Sequence, residues 1–406
     1  MYDVIIAGGG ASGFFTANVL VNSQPNLKIL ILEKTGKTLS KVLISGGGRC
    51  NVTHNQPNQT LFSKHYPRGE KLLKSNLRKF GSLEMTHWLQ EKGVELKTEE
   101  DNRMFPISNS SKTIVQCLRS VLESPKCTLK LNTAIVDFEE TESHISVNTT
   151  DNTYQCKHLV LACGSSQSAW KMLQNKGVEI TTPVPSLFTF TVKPHPLVEL
   201  SGISVAQAEV KIAGTKLKPQ YGPLLITHKG FSGPAVLKLS AYAARELNDL
   251  QYKFNLLVNF TGLEKETEVR EKINEQADSK KQIGNAPLFG LAKRLWVALL
   301  EKASIPEDKV WHELSKKNKN KLIEELFQGS YNVTSKNTFK DEFVTAGGIA
   351  LPEIDKNTYA LKKHTGVFAT GEFLNIDGVT GGFNFQACWT SGYFVAKSII
   401  NNSIES

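Results

Sequence analysis

The fold is decided by Asp3–Gly13, which reads DVIIAGGGASG. It begins with a short apolar run typical of a buried parallel strand, and Gly8, Gly10 and Gly13 then follow in the pattern G-x-G-x-x-G. A helical pattern comes next, and a second apolar run, LKILILE, ends in Glu33, 20 positions after Gly13. Strand, glycine turn, helix, strand and acid in this order predict a βαβ unit that binds a dinucleotide.

The glycines of this motif let the chain turn tightly and let a pyrophosphate approach the helix N-terminus, where free N–H groups favour an anion. Glu33 can accept hydrogen bonds from both ribose hydroxyls of an adenosine, and its charge would repel a 2′-phosphate, which favours FAD or NAD over NADP. A glycine-rich turn without a nucleotide is the alternative interpretation. The residues predicted to bind this half of the cofactor are Gly8, Gly10, Ala11, Ser12, Gly13, Glu33 and Lys34.

Two further glycine clusters, Ser45–Asn51 (SGGGRCN) and Gly371–Asn384 (GEFLNIDGVTGGFN), favour FAD over NAD. Consecutive glycines leave the backbone bare for close contact with a flat ring. In the second cluster Glu372 or Asp377 is placed to bind a ribityl chain, and backbone N–H groups before the last helix can face the pyrimidine edge. The predicted flavin-binding residues are Ser45, Gly46, Gly47, Arg49, Cys50, Asn51, Gly371, Glu372, Asp377, Gly381, Gly382, Phe383 and Asn384, together with Ile135, Ala162 and Gly164 between the clusters.

A second dinucleotide motif is missing from the sequence, so any NAD(P)H is expected to act as a transient electron donor to a noncovalently bound FAD. Cys50, inside the first cluster, is a candidate proton donor, and His228 in the loop THKGFSG is a second candidate. Arg103 is a candidate for binding a carboxylate or phosphate. The alternative interpretations are a packed thiol, a structural histidine and a surface ion pair.

The composition is that of a folded globular protein: 406 residues, 40% hydrophobic and 21% charged. Six scattered cysteines without a C-x-x-C pair argue against a disulfide framework and a metal site. No apolar run is long enough for a membrane span, and the N-terminus lacks the pattern of a leader, so we expect a cytoplasmic protein without membrane contact. Hydrolase and kinase motifs are absent, and no pattern indicates an oligomeric state.

The net charge of +9 is concentrated in part between residues 64 and 79, where six Lys or Arg stand against one acid. A basic stretch close in sequence to the first flavin cluster favours an anionic substrate, with Lys71, Lys74 and Arg78 as candidate contacts. An amphipathic helix whose lysines merely face water explains the pattern equally well, because Leu73, Leu77 and Phe80 form an apolar stripe.

The patterning changes after Pro185, from apolar runs to the alternation typical of a β-rich region. Between residues 264 and 327 the period becomes helical, and we predict three helices there, one of them started by the capping box Ser304–Glu307. The chain then returns to strand, glycine turn and a final apolar helix.

The sequence resembles the YhiN/BaiN-like FAD-binding oxidoreductases, a family also called aminoacetone-oxidase-like. The matching stretches are DVIIAGGGASG, KVLISGGGRCNVTH, NRMFPIS, GPLLITHKGFSGPAVLKLS, FVTAGGI and GVFATGEFLNIDGVTGGFNFQACWTSG. The resemblance implies an α/β, Rossmann-like FAD-binding domain of the glutathione-reductase type, with a single dinucleotide motif, an inserted β-rich domain and a helical insertion. The implied boundaries are 1–186 plus 341–406 for the FAD domain, 187–263 plus 328–340 for the β-rich insert and 264–327 for the helices.

The resemblance also implies hydride transfer between the flavin and a C=C or C–N bond. Relatives act on unsaturated carbon frameworks, on uridine in ribosomal RNA and on amines. The basic stretch favours ribosomal RNA as the partner. The alternatives are a small-molecule enoate reductase or amine oxidase, and, in a different class, an FAD-binding scaffold or redox sensor without turnover.

Overall fold

The computed structural model describes residues 1–337 and 344–404 and divides the chain into two compact units. The first unit comprises Met1–Pro185 and Lys340–Ser406, and the second comprises Ser186–Phe339. The boundary expected between residues 340 and 341 lies outside the described residues.

The elements are numbered in chain order. The strands are β1 (Tyr2–Ala7), β2 (Ile29–Leu32), β3 (Thr53–His54), β4 (Leu96–Thr98), β5 (Arg103–Pro106), β6 (Cys127–Lys130), β7 (Ile135–Glu140), β8 (Ile145–Thr149), β9 (Thr153–Leu161), β10 (Ile180–Ser186), β11 (Thr189–Val192), β12 (Ser204–Ile212), β13 (Gln220–Thr227), β14 (Gly230–Ser232), β15 (Phe254–Asn259), β16 (Gly329–Asn337), β17 (Val344–Ile349) and β18 (Val367–Ala369). The helices are α1 (Ala11–Ser23), α2 (Ser40–Gly48), α3 (Gln59–Ser63), α4 (Glu70–Asn76), α5 (Ser82–Glu91), α6 (Ser111–Arg119), α7 (Gln167–Asn175), α8 (Pro234–Tyr242), α9 (Ala244–Asp249), α10 (Glu266–Asn274), α11 (Lys293–Lys302), α12 (Lys316–Gln328) and α13 (Phe383–Ile404).

The first unit is built on a sheet in the order β6-β2-β1-β9-β8-β7, with β18 also paired to β9. The pairs β6–β2, β2–β1, β1–β9 and β9–β18 are parallel. Every residue of β2 and the last four of β1 are buried, as expected for parallel strands covered on both faces. The register aligns Ala7 with Leu32 and Leu161, and Leu161 with Ala369, so the carboxyl ends of four strands meet at one edge.

Helices α1 and α13 bring both ends of the first unit to this edge. Helix α1 begins directly after β1, and the hydroxyl of Thr16 lies 3.4 Å from the carbonyl oxygen of Gly392 in α13. A Cβ at Gly392 would lie 2.8 Å from the Thr16 Oγ1, so the close approach of the two helices requires glycine there. The two helices therefore pack directly on each other.

The second unit contains a closed barrel in the strand order β11-β14-β13-β12-β15-β16. The predicted fold class is confirmed: a Rossmann-like unit carries an inserted β-rich region with helices. The helices between residues 264 and 327 share one hydrophobic cluster with the barrel, since Trp296, Trp311 and Leu326 belong to the same cluster as Val258. The helical insertion therefore has no separate core.

The predicted capping box at Ser304 starts no helix. Ser304 has a positive φ of 60°, and the last of the three helices, α12, begins after Ser315, whose hydroxyl accepts a hydrogen bond from the Asn318 N–H at 3.2 Å. The lysine-rich run from residue 316 onward forms the first turns of this helix. The predicted cap at Ser304 therefore lies eleven residues before the observed cap at Ser315.

Within residues 1–337 and 344–404, no helix combines the length and the apolar character that crossing a bilayer requires.

Candidate functional site

The edge where the four parallel strands end carries the glycine motif. Gly8 has φ +124°, and a Cβ there would lie 2.1 Å from the carbonyl oxygen of Ala162, the residue that follows β9. A Cβ at Gly13 would lie 2.1 Å from the Gly8 carbonyl oxygen. Gly10 caps α1, and its Cβ would meet no protein atom within 4 Å. Gly8 therefore permits the close contact with the residue after β9, Gly13 permits the close contact of α1 with the turn, and Gly10 leaves open space at a helix N-terminus.

Glu33 is fixed beside this turn by three hydrogen bonds. Its Oε2 accepts from the Gly9 N–H at 3.0 Å, and its Oε1 accepts from the Thr35 N–H and hydroxyl, both at 2.8 Å. A carboxylate offers about four lone-pair positions, so capacity remains for a ribose hydroxyl. Lys34, next in the chain, is exposed, and Ile135 is half-buried at the start of β7.

Gly371, after β18, packs on the first turn of α1. Its φ is +71°, and a Cβ would lie 2.5 Å from the Ser12 Oγ. Its N–H donates to the Ser391 hydroxyl in α13 at 3.0 Å. Ala162 is tied in from the neighbouring strand, because its N–H donates to the Ala7 carbonyl at 2.8 Å. The ends of β1, β9 and β18 thus form one continuous floor.

Glu372 lies at this floor but is already paired. Its Oε2 is 2.5 Å from the Lys41 ammonium, and its Oε1 accepts from the Thr345 N–H at 3.1 Å. A Cβ at Gly164 would lie 3.9 Å from the Glu372 Oε2, so these two predicted residues are neighbours. Sequence reasoning missed Lys41, which lies four residues before the first flavin cluster.

The first flavin cluster contains a kink in α2. Gly46 and Gly47 have φ values of +57° and +67°, Ser45 has an extended ψ of 149°, and a Cβ at Gly47 would meet no protein atom within 4 Å. The exposed backbone around Gly47 is therefore open to a ligand. Cys50, three residues after Gly47, is 0% exposed, and burial raises the pKa of its thiol to about 12. Its burial favours packing over proton donation.

Arg49 and Arg103 share one acid. Arg49 Nη1 is 2.6 Å from Glu99 Oε1, and its guanidinium carbon lies 4.1 Å from the centre of the Phe105 ring. Arg103 bonds Glu99 at 3.2 Å and Asp101 at 2.6 Å. Both guanidinium groups have partners, which favours the ion-pair interpretation of Arg103.

The two glycine clusters are joined by Asn51. With its amide oriented to satisfy both ends, Asn51 accepts from the Gly382 N–H at 3.0 Å and donates to the Thr53 carbonyl at 2.9 Å. Asn384 braces its own loop, accepting from the Gly378 N–H at 2.8 Å and donating to the Gly378 carbonyl at 2.9 Å. Both side chains shape the site, and the groups left to face a ligand are backbone N–H groups at the start of α13.

Asp377 requires a correction. We predicted that Glu372 or Asp377 binds a ribityl chain, but the Asp377 side chain is 0% exposed and both of its carboxylate oxygens bond the guanidinium of Arg68. Arg68 belongs to the basic stretch that we associated with substrate. This pair holds the residue 377 loop against the segment before α4 and offers no free carboxylate.

A cluster of aromatic rings beside Gly381 was not predicted. The Phe383 ring stacks on the His65 ring, with 4.3 Å between the ring centres and an interplanar angle of 6°. The centre of the His54 ring lies 4.7 Å from that of the Phe383 ring. The Tyr66 hydroxyl donates to the Phe383 carbonyl at 2.7 Å. Both histidines follow the first flavin cluster closely in sequence, and this proximity was the available indication.

His54 provides a test of this cluster. Burial lowers its pKa, opposed by a hydrogen bond to the Gly381 carbonyl at 3.2 Å and reinforced by the charge of His65. Below about pH 6.5 the unfolded chain therefore binds a proton that the folded chain refuses, so the free energy of unfolding falls as pH falls. We expect His54→Gln to reduce this loss, measured as the difference in Tm between about pH 7.5 and about pH 5.5. The control is His87→Gln, an exposed residue of α5. An unchanged loss in His54→Gln would contradict the assignment.

The remaining candidates lie elsewhere. His228 is exposed in the second unit, in the turn between β13 and β14. Lys71 and Arg78 are exposed and Lys74 is half-buried along α4 and the turn after it. Leu73, Leu77 and Phe80 are buried, so the apolar stripe exists and the basic residues cover its outer side. Among the described residues no group of His, Cys, Asp and Glu is arranged to hold a metal ion.

The comparison with protein families decides the assignment: a family model described as "HI0933-like protein Rossmann domain" matches residues 2–398. The chain belongs to the HI0933-like family. It is 27% identical over 412 residues to proteins of Haemophilus influenzae and Escherichia coli, each named ribosomal RNA dihydrouridine synthase. The matches cover 97% and 98% of this chain and 98% of each relative. A Clostridium scindens protein named 3-dehydro-bile acid delta(4,6)-reductase is 25% identical over 410 residues, covering 98% of this chain and 99% of that protein.

Solved structures share the fold of this HI0933-like chain. The 3-ketosteroid delta1-dehydrogenase of Sterolibacterium denitrificans superposes with a TM-score of 0.54 at 12% identity, covering 99% of both chains. Escherichia coli quinol fumarate reductase gives a TM-score of 0.51 at 13% identity, covering 100% of this chain and 71% of that one. The chain is therefore an FAD-dependent oxidoreductase with a Rossmann-like FAD-binding fold.

The geometry of the first unit fits FAD. The open space at Gly10 could receive a pyrophosphate at the N-terminus of α1, and Glu33, fixed by the Gly9 N–H, could accept a hydrogen bond from a ribose hydroxyl. The bare backbone at Gly47 and the start of α13 frame the opposite end.

Proposed function

We propose that this HI0933-like protein reduces uridine in ribosomal RNA to dihydrouridine, with NAD(P)H as the electron donor. The observation that carries the proposal is the likeness to two proteins named for this reaction, which extends over at least 97% of the chain. The net charge of +9 suits a polyanionic substrate.

The reaction adds a hydride and a proton across the C5=C6 bond of uracil and oxidises NAD(P)H to NAD(P)⁺. Bound FAD supplies the hydride chemistry. The chain's own residues would hold the cofactor: the N-terminus of α1 would bind the pyrophosphate, Glu33 would bind the ribose, and the N-terminus of α13 would bind the flavin ring. A second dinucleotide motif is absent from the sequence, so the donor is expected to bind transiently.

A second candidate is reduction of a C=C bond in a small molecule. It is favoured by the Clostridium scindens relative, which is named for a bile acid reduction and matches over 98% of this chain. Both candidates use the same site, so the substrate alone distinguishes them.

The experiment uses the purified yellow protein without air. NADH and NADPH are added separately, and bleaching of the visible flavin absorbance identifies the donor. The reduced protein is then mixed with ribosomal RNA from cells lacking the gene, and nucleosides are analysed by mass spectrometry for the gain of two hydrogens by uridine. We expect dihydrouridine at a defined position and none without the donor. Reduced flavin that is reoxidised by a conjugated steroid ketone, while the RNA stays unmodified, would contradict the proposal and support the second candidate.

A further inference from the structure

The second unit contains a cavity of about 560 Å³ with a basic lining. Three lysines, Lys193, Lys229 and Lys336, and two histidines, His195 and His228, line it, and none of the lining residues within the described part of the chain is acidic. Pockets for small apolar ligands are lined mainly by hydrophobic and aromatic side chains. Val192 is the only aliphatic residue among the described lining residues, so the cavity is suited to an anion.

The barrel topology brings these residues together from distant positions. In β11, Thr191 pairs with Gly230 of β14 on one side and with Ser335 of β16 on the other. The Val192 N–H donates to the Lys229 carbonyl at 2.8 Å. One lysine therefore follows β11, one lies in the turn before β14 and one lies near the end of β16, around a single opening.

These lysines lack counter-ions among the described carboxylates. Lys193 and Lys229 are exposed and form no ion pair with a carboxylate of residues 1–337 or 344–404, and the Lys336 ammonium lies 3.8 Å from the centre of the Tyr252 ring. Elsewhere in the same unit, lysines have acidic partners. The Lys272 ammonium lies 3.1 Å from a carboxylate oxygen of Glu275, and the Lys302 ammonium pairs with Glu325. The cavity thus keeps positive charge that an anionic ligand can neutralise.

His195, one of the two histidines that line the cavity, is held in place. His195 Nε2 donates to the Thr227 carbonyl at 2.8 Å, which fixes the imidazole beside the turn that carries His228 and Lys229. Thr191, Ser335 and Asn337 add neutral hydrogen-bonding groups to the lining. Charged lysines beside hydroxyl and amide groups are the combination that contacts phosphate oxygens in nucleic-acid complexes.

We propose that this cavity binds the phosphate groups of an RNA backbone. The inference rests on the proposed function, because it places part of the RNA contact in the second unit, through Lys193, Lys229 and Lys336. The volume exceeds that of a single phosphate group, and the three lysines lie at the ends of three different barrel strands, so they can contact more than one phosphate of a linked chain.

The test measures binding without turnover. Fluorescence anisotropy of a fluorescein-labelled, uridine-rich single-stranded RNA is recorded at several salt concentrations for the FAD-loaded protein. In the triple variant K193Q/K229Q/K336Q we expect RNA affinity to fall at least about tenfold. The negative slope of log K against log salt should decrease in magnitude by about 2. The matched control K216Q/K218Q/K253Q removes three exposed lysines of the same unit and should change affinity less than about threefold. Because Lys336 packs on Tyr252, the double variant K193Q/K229Q serves as a check against misfolding and should show an intermediate loss.

Equal losses in the two triple variants, or unchanged binding in the cavity variant, would overturn the inference. Loss of NADPH-driven bleaching with full RNA affinity would also overturn it and assign the cavity to a dinucleotide phosphate. Formation of dihydrouridine by the wild-type protein is measured separately. If the wild-type forms none but the cavity variant alone loses RNA affinity, the proposed function fails and the binding site stands.

Discussion

Replacement of Gly8 by alanine is expected to yield protein without bound flavin. The new Cβ would lie 2.1 Å from the carbonyl oxygen and 2.6 Å from the carbonyl carbon of Ala162, and φ at this position is +124°. Because the obstacle is backbone, the ends of β1 and β9 would have to separate, displacing the N-terminus of α1. Strain at such a position and the broken contact together should cost more than about 3 kcal/mol. The ratio of visible flavin absorbance to protein absorbance after purification measures the result.

Gly10→Ala separates cofactor contact from folding. A Cβ there would meet no protein atom within 4 Å, and the backbone at φ −92° accepts any residue. We therefore expect the flavin-free variant to have the Tm of the flavin-free wild-type protein, while its affinity for FAD falls at least about tenfold. Gly36→Ala is the control, because its Cβ would make only an ordinary contact, 3.5 Å from Asn132 Oδ1. Wild-type affinity in Gly10→Ala would show that no pyrophosphate lies at this helix terminus.

Removal of Arg68 is expected to have the largest effect on stability outside the glycine motif. The Asp377 carboxylate is 0% exposed, and the Arg68 side chain is 14% exposed. Arg68→Met leaves a buried charge without its guanidinium, which should lower the free energy of unfolding by about 3–5 kcal/mol. Urea unfolding followed by circular dichroism measures this change.

Two further variants define the interpretation of the Arg68 result. Arg103→Met breaks exposed ion pairs and should cost at most about 1 kcal/mol. The double variant R68M/D377N removes the buried charge as well and should recover part of the lost stability. If Arg68→Met is no more destabilising than Arg103→Met, the pair with Asp377 does not support the loop.

The sequence predicted the parts of the site that depend on local spacing. A strand, a glycine turn and a helix follow one another within Asp3–Gly13, and Glu33 ends the adjacent strand, so their meeting at one sheet edge follows from parallel pairing. The bare backbone at Gly47 was likewise predicted, because consecutive glycines carry no side chains that could cover it.

The partners of polar side chains could not be predicted in the same way. Asp377 and Arg68 are 309 positions apart, and no pattern in either segment indicates that the carboxylate is buried. Glu372 meets Lys41 across 331 positions. Asn384, by contrast, bonds Gly378 only six positions away, but that choice depends on how its loop folds. Long-range pairing, rather than residue type, decides which acids and amides remain available to a cofactor.

The division of the first unit between both ends of the chain has a consequence during synthesis. The floor of the site needs Gly371, and its far wall needs the start of α13, so a ribosome that has translated the first 340 residues has exposed only half of the receptor for the cofactor. Flavin loading must therefore wait until α13 has left the exit tunnel. Until then Phe15 of α1 lacks the Trp389 ring of α13, which lies 5.4 Å away in the folded unit, and apolar surface left uncovered in this way is what chaperones bind.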